Sequence, residues 1–232
     1  MSKIISIDVG IKNLGLCIFS INSDSTIDIV KWQTISLVDE KVRKCDGYTS
    51  SNKKCINDAK YIIGNECYCG IHKKKGVELI KKKKAEKENL VSLGKNMKDI
   101  FDKLLIDVSG IEIVLIENQI SPIANRMKTL QGMIMQYFIM HDLDKIEMIS
   151  SQNKLKVFDY YVKKIKETQG NSYSVRKKLG IGLTEYILEI NKDWGRYKYL
   201  FIGKKKDDLA DSFLQGLYYI KRILKIEIGD NN

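Results

Sequence analysis

"SIDVGIKNLGLCIFSI" (residues 6–21) ends one apolar run on a carboxylate, Asp8, follows it with Gly10, and opens a second apolar run, Leu14 to Ile21, after Lys12 and Asn13. The pattern reads as a strand, a short turn and an antiparallel strand. A carboxylate at that place in a central strand calls for a partner or a bound cation. A turn aspartate beside a hairpin is the plain alternative, and the rest of the chain decides between the two.

Working outward, residues 3–9, 14–21 and 27–37 read as an antiparallel meander of three strands, the last being "TIDIVKWQTIS". After Asp39 the composition shifts to Lys, Asn, Ser, Gly and Cys without sustained periodicity, which marks an insertion at about 40–76. A helical period over 77–106 follows, its first half bearing "KKKK". "IEIVLIENQ" (111–119) has the near-continuous apolar run of a central strand covered on both faces, and it ends on Glu117. Helices are expected at 123–142, 152–166, 174–191 and 206–225, with a strand at 145–150; the single proline, Pro122, lies just before the first of these, near its expected first turn. This order predicts an α/β fold with a mixed central sheet flanked by helices, one domain over 1–232 carrying a Cys-rich insertion after its third strand.

Composition narrows the partner. Lys and Arg total 40 against 29 Asp and Glu, a net +11, which favours a polyanion because each neutralised phosphate releases condensed counterions. A Lys-rich, AT-biased coding sequence produces the same surplus, so charge alone does not choose the partner. No run approaches 18 apolar residues, and no membrane partner is expected. The first residues suit a strand rather than a signal peptide. Five cysteines cannot all pair within the chain, pointing to a reducing, intracellular compartment.

Chemistry is concentrated in carboxylates. Asp8 and Glu117 occupy equivalent places at the ends of two apolar strands, and converge if those strands are neighbours. Asp208 and Asp211 in "KKDDLADSFLQG" are three apart on an expected helix, hence on one face, where like charges repel. A helix N-terminus explains Asp207 and Asp208 by its dipole, but it explains Asp211, set among Leu209, Ala210 and Phe213, less well. A pair of Mg²⁺ or Mn²⁺ ions on oxygen ligands removes the repulsion, and the set matches two-metal phosphodiester hydrolysis.

Taken together, "IDVGIKNLG", "IENQ", "GNSYSVRKKLGIGLT" and "KKDDLADSFLQG" resemble the poxvirus and large-DNA-virus branch of the RuvC-type Holliday junction resolvases, and also their fungal mitochondrial relatives. The resemblance spans roughly 3–38 and 110–225. It implies a ribonuclease H-like (RuvC-type) fold, a homodimer, and metal-dependent paired nicking of four-way (Holliday) junctions and branched DNA. Asp8, Glu117, Asp208 and Asp211 fall at its metal-binding carboxylates, with two Mg²⁺ or Mn²⁺ per site. It also implies an active-site lysine: Lys154 matches a stretch in which relatives carry Ser-Pro before the lysine, Ser151 standing here for the proline, while Lys177 in "RKK" matches the viral relatives. A viral member would work in the host cytoplasm, at the site of viral replication, and any other in the nucleus or mitochondrion.

Candidate DNA contacts are Lys12 and Asn13 in the first turn, Arg126 and Lys128 at a helix start, and Lys156, Arg176 and Lys178, all able to position a phosphate backbone without reading sequence. Within the insertion, Cys45, Cys55, Cys67, Cys69 and His72 offer five candidates for a four-coordinate structural Zn²⁺, spaced C-x9-C and then C-x-C-x2-H. A segment so poor in apolar residues gains order from a metal. Two rival readings remain: an RNA:DNA hybrid nuclease of the same fold, and a non-catalytic branched-DNA-binding protein. The second is expected to have lost carboxylates, and none is missing. Sugar kinases and actin-like ATPases also open on an Asp-x-Gly hairpin, but they need a duplicated half for which this chain is too short.

Overall fold

The computed structural model describes residues 2–38, 43–75, 78–79, 85–119, 125–157, 173–202 and 206–227. In chain order its elements are β1 (Ser2–Asp8), β2 (Leu14–Ile21), β3 (Ile27–Ile35), β4 (Tyr61–Ile63), β5 (Glu66–Tyr68), β6 (Glu78–Leu79), α1 (Leu90–Asp107), β7 (Ile111–Glu117), α2 (Asn125–Ile139), β8 (Lys145–Ile149), α3 (Tyr173–Ile190) and α4 (Lys206–Tyr218). Short 3-10 turns lie at Lys154–Lys156 and Gly195–Ile202.

Five strands form a mixed sheet ordered β3-β2-β1-β7-β8. The meander β1-β2-β3 is antiparallel, whereas β7 and β8 run parallel to β1. Strand alternation sends Ile4, Ile113 and Leu115 into the same core cluster as α4, and sends Ile5, Ile7, Val114 and Ile116 to the other face, where they are equally buried. The sheet is therefore covered on both sides, which is why β1 and β7 read as continuous apolar runs.

Helix α4 buries Leu209, Ala210, Phe213, Leu214 and Leu217, residues recurring at helical spacing. Trp32 of β3 stacks on Phe213 with ring centroids 4.6 Å apart, and its indole N–H donates to the Leu209 carbonyl at 3.0 Å. These contacts fix the rotation of α4 about its axis, and with it the direction of the acidic residues between the apolar ones. Helices α1 and α2 pack through Phe101, Tyr137 and Phe138.

One expected helix is shorter than read, and another lies mostly outside the described residues. The period over 77–106 is carried only from Leu90, where Asn89 caps the helix by accepting the Val91 N–H at 2.7 Å; Glu78–Leu79 upstream is a strand. Asn89 offers the side-chain oxygen that opens a helix, whereas the preceding lysine run only repels itself. Of 152–166, residues 152–157 are described and hold the Lys154–Lys156 turn; 158–166, Pro122 and most of "GNSY" lie outside the described residues.

The chain divides into two compact units, Met1–Leu37 with Asn89–Asn232, and Val38–Glu88. The expected Cys-rich insertion lies inside the second, which holds the small antiparallel sheet β5-β4-β6 and a buried cluster of Cys45, Cys55, Tyr68 and Cys69. Among the described residues no helix is long and apolar enough to cross a membrane.

Candidate active site and metal cluster

Because β1 and β7 are parallel neighbours with Ile7 opposite Ile116, Asp8 and Glu117 leave the same edge of the sheet side by side. Each is only 9% exposed. Burial pushes the Asp8 carboxyl well above its ordinary range, and its hydrogen bond to Glu117 and the Glu117 charge push the same way. Burial works against Glu117 too, but the hydrogen bond from Asp8 and the ammonium of Lys154 outweigh it and hold Glu117 below its usual range. The two neighbouring carboxyls are thus pushed in opposite directions, Asp8 up and Glu117 down. Gln119 donates its side-chain amide to the Glu117 carboxylate at 3.1 Å, and its own backbone N–H is held by the Gln131 side chain at 2.8 Å.

Lys154 is the cation of this cluster. It is 8% exposed, and its Nζ lies 3.0 Å from Glu117 Oε1 and 2.8 Å from Asp211 Oδ2. Burial alone depresses a lysine, but the charges of Asp211, Asp8 and Glu117 prevail and keep it protonated. Asp211, on α4, has its proton affinity raised by burial against the opposing pull of Lys154. Three carboxylates thus converge around one ammonium.

Asp208 stands one turn earlier on α4. A Cβ added to Gly15 would lie 2.2 Å from the Asp208 carbonyl oxygen and 3.3 Å from the Asp8 Cβ, so Asp208 and Asp8 flank the same glycine. The bare backbone of β2 lets the helix start come this close. Gln215, one turn beyond Asp211, donates at 3.2 Å to the Ser6 hydroxyl and to the Ile7 carbonyl, tying α4 to the strand that carries Asp8. Gly15, Gln119 and Gln215 were not singled out in the sequence, although each lies inside a quoted motif. Gly10 has a local role: a Cβ there would meet the Asn13 carbonyl oxygen at 2.2 Å, so its turn is closed by its own backbone.

Lys177 sits elsewhere. It is exposed and pairs with Asp207 at 2.6 Å, and its charge outweighs burial to hold the Asp207 carboxyl below its usual range. Lys12 is exposed and Asn13 half-buried in the β1–β2 turn; Arg126 and Lys128 fall in the first turn of α2; Lys178 is exposed on α3. Lys156 donates to Asn153 Oδ1 at 2.9 Å. The side chain of Arg176 lies outside the described residues.

The donor set of Asp8, Glu117, Asp208 and Asp211 is all oxygen. With Asp8, Glu117 and Asp211 gathered about a single lysine, its surplus of negative charge fits hard divalent cations.

The cysteine cluster is of the opposite chemical type. Cys45, Cys55, Cys69 and His72 bring one ligand atom each within 4.8 Å of one another, a set that can hold a metal ion. His72 Nδ1 is 3.4 Å from both Cys45 Sγ and Cys69 Sγ, and Cys55 Sγ is 4.0 Å from Cys69 Sγ. Each sulfur accepts a backbone N–H from two residues on: Cys45 from Gly47 at 3.4 Å, Cys55 from Asn57, Cys69 from Ile71. With a further N–H from His72 as the leading cause, the Cys69 thiol falls to about 6. Gly47 leaves room for the imidazole, since a Cβ there would meet His72 Cγ at 2.6 Å. Of the five candidates for a four-coordinate site, Cys67 is the one that lies outside this group. Within β5 it points away from its buried neighbour Tyr68, whereas Cys69 follows the end of the strand, and the Cys67 sulfur accepts instead from Arg43 Nη1 at 3.5 Å.

Residues 4–139 match the sequence model of a family described as mitochondrial resolvase Ydc2 / RNA splicing MRS1. An uncharacterized protein, L451, of Acanthamoeba polyphaga mimivirus is 25% identical, the match covering 96% of this chain and 75% of that protein. Among solved structures, the yeast mitochondrial Holliday junction resolvase Ydc2 is similar at 16% identity and TM-score 0.52, covering 95% of this chain and 79% of that one. Fowlpox virus resolvase, solved with substrate Holliday junction DNA, is similar at 18% identity and TM-score 0.50, covering 96% and 99%. The mixed sheet with flanking helices is thus the fold of these resolvases, and in this chain a Cys-rich segment follows the third strand.

Proposed function

Since this chain belongs to the family of mitochondrial resolvase Ydc2 and RNA splicing MRS1, we propose that it is a structure-specific DNA endonuclease that resolves four-way junctions by paired nicking. The observation that carries the reading is the convergence of Asp8, Glu117 and Asp211 on one buried, protonated Lys154 at the sheet edge, with Asp208 one helical turn away. A splicing or architectural role needs no such cluster, and burying three carboxylates around one lysine is costly unless it serves chemistry.

Mg²⁺ or Mn²⁺, two per site on Asp8, Glu117, Asp208 and Asp211, would supply water activation and stabilise the leaving 3′ oxygen. Glu117 is oriented by Gln119, and Asp211 by the docking of α4 through Gln215 and Trp32. Lys154 keeps its proton and lends positive charge to the pentacoordinate phosphorane as its oxygens gain charge. Lys177, exposed beside Asp207, is the second lysine of the proposal and grips a flanking phosphate together with Arg176, Lys178 and Lys156. Lys12, Asn13, Arg126 and Lys128 complete the proposed DNA contacts.

The deciding experiment incubates the full chain with a labelled mobile four-way junction and Mg²⁺, beside an RNA:DNA hybrid and a plain duplex. Paired nicks yielding ligatable duplex products support resolution; preferential cutting of the hybrid transfers the same metal site to the rival substrate, and no cutting of any substrate overturns the nuclease reading.

Two strands of like polarity must be cut at symmetric points, so the proposal includes a two-fold homodimer. Sedimentation is expected to show two chains per junction, and a monomer both free and on junction DNA would refute this. The Cys45, Cys55, Cys69 and His72 cluster is read as one structural Zn²⁺ site, the thiolate and imidazole donors being those that zinc takes. An intracellular location follows from the same reading, since branched DNA is the proposed substrate.

A further inference from the structure

The Val38–Glu88 unit holds a feature that the metal cluster does not use. Arg43, Lys44, Asp46, Lys54, Asn65 and Cys67 line an open cleft of about 550 Å³. Cys67, the cysteine excluded from the cluster, forms part of its wall and anchors the Arg43 guanidinium through its sulfur at 3.5 Å. The one carboxylate in the lining, Asp46, is already engaged: its Oδ2 accepts the Cys67 N–H at 2.8 Å, and its Oδ1 is 3.8 Å from Lys54 Nζ. Lys44 pairs with Asp58 at 2.6 Å. The side chains of both lysines are about two-thirds exposed, at 63% and 66%, so these ion pairs are weak and open to exchange.

Charge points the same way. Residues 38–88 contain 14 Lys and Arg against 8 Asp and Glu, +6 of the chain's +11 in 51 of its 232 residues. A zinc ion on three thiolates subtracts one, and the unit stays strongly positive.

We propose that this cleft binds phosphates of the DNA backbone, making the Cys-rich unit a second, sequence-independent contact for the substrate. The inference rests on DNA being the substrate, and it assigns to the cleft affinity rather than chemistry. Arg43 presents a planar guanidinium to a phosphate's oxygens, Lys44 and Lys54 exchange exposed carboxylates for phosphates, and Asn65 adds a neutral donor. Each phosphate neutralised steepens the salt dependence of binding.

The test uses the full, zinc-loaded chain in Ca²⁺ and measures affinity for a short plain duplex across a salt series. One variant carries Lys44→Gln with Lys54→Gln; a matched control carries Lys53→Gln with Lys75→Gln, exposed lysines of the same unit outside the cleft lining. Zinc content is checked in each. The cleft variant is expected to bind about tenfold more weakly at moderate salt, with the slope of log K against log salt flattened by about 2, while the control stays within about twofold of wild type. Adding Arg43→Gln is expected to weaken binding again. Wild-type affinity and slope in the cleft variant overturn the proposal. So does an equal loss in the control, which assigns the effect to bulk charge, and so does a loss seen with an RNA hairpin but not with the duplex. If wild type binds duplex in this cleft-dependent way yet cuts no junction, the nuclease reading fails and the cleft assignment stands.

Discussion

Asp211→Asn is expected to lower strand cleavage by orders of magnitude while leaving junction affinity at or above the wild-type level. The change keeps the size of the side chain and leaves an oxygen to accept from Lys154, which lies 2.8 Å from Asp211 and 3.0 Å from Glu117. The packing of α4, set by Trp32, Phe213 and Gln215, is untouched. What is lost is one negative charge among the carboxylates proposed to hold the metal ions, and with it metal occupancy and the transition-state stabilisation that depends on it. Affinity rests on Lys and Arg contacts to phosphates and is not reduced by removing an anion. Cleavage and gel-shift assays on the same preparation decide the matter: cutting at the wild-type rate refutes the metal-site assignment. A thermal melt guards against misfolding, and Asp8→Asn serves as the second variant, expected to lose cleavage in the same manner.

Stripping the zinc proposed for the Cys45, Cys55, Cys69 and His72 cluster is expected to cost the Val38–Glu88 unit its fold. Its buried cluster among the described residues is Cys45, Cys55, Tyr68 and Cys69 with Tyr61 packed against it, far too little apolar surface to offset the ordering of some fifty residues. Structural zinc sites supply on the order of 10–16 kcal/mol of apparent binding energy in small domains, enough to decide whether such a unit folds. One zinc per chain is expected by metal analysis, and chelation should open this unit to proteolysis while the five-stranded sheet persists. The ligand set is tested by a contrast: Cys69→Ser loses zinc, whereas Cys67→Ser, whose sulfur contacts Arg43, retains it. Equal zinc loss in both variants would sink the four-ligand assignment.

The two predictions differ in how much of their ground was legible in the sequence. Asp8, Glu117, Asp208 and Asp211 stood out because strand ends and helical spacing are local patterns, and a carboxylate in an apolar setting is conspicuous wherever the partner lies. The three-strand meander, the central strand 111–117 and the order of later elements were readable for the same reason: hydrophobic period follows from which face is buried. The helix expected from Val77 was not, because a lysine run is compatible with helical spacing yet supplies no apolar stripe to dock.

Choosing among equivalents needed the fold. Lys154 and Lys177 are equally plausible along the chain, but only the tertiary arrangement buries Lys154 between Glu117 and Asp211 and leaves Lys177 exposed on Asp207. Cys67 and Cys69 are two residues apart, a spacing that shares a face in a continuous strand, but β5 ends at Tyr68, so Cys69 joins His72 while Cys67 lines a basic cleft. Gly15 matters through a helix nearly two hundred residues away that rests against its missing side chain. By itself the sequence determined which residue types carry the chemistry and which elements hold them. The tertiary structure alone decided which of them meet, because burial, charge pairing and close packing depend on distances between parts of the chain that local periodicity does not encode.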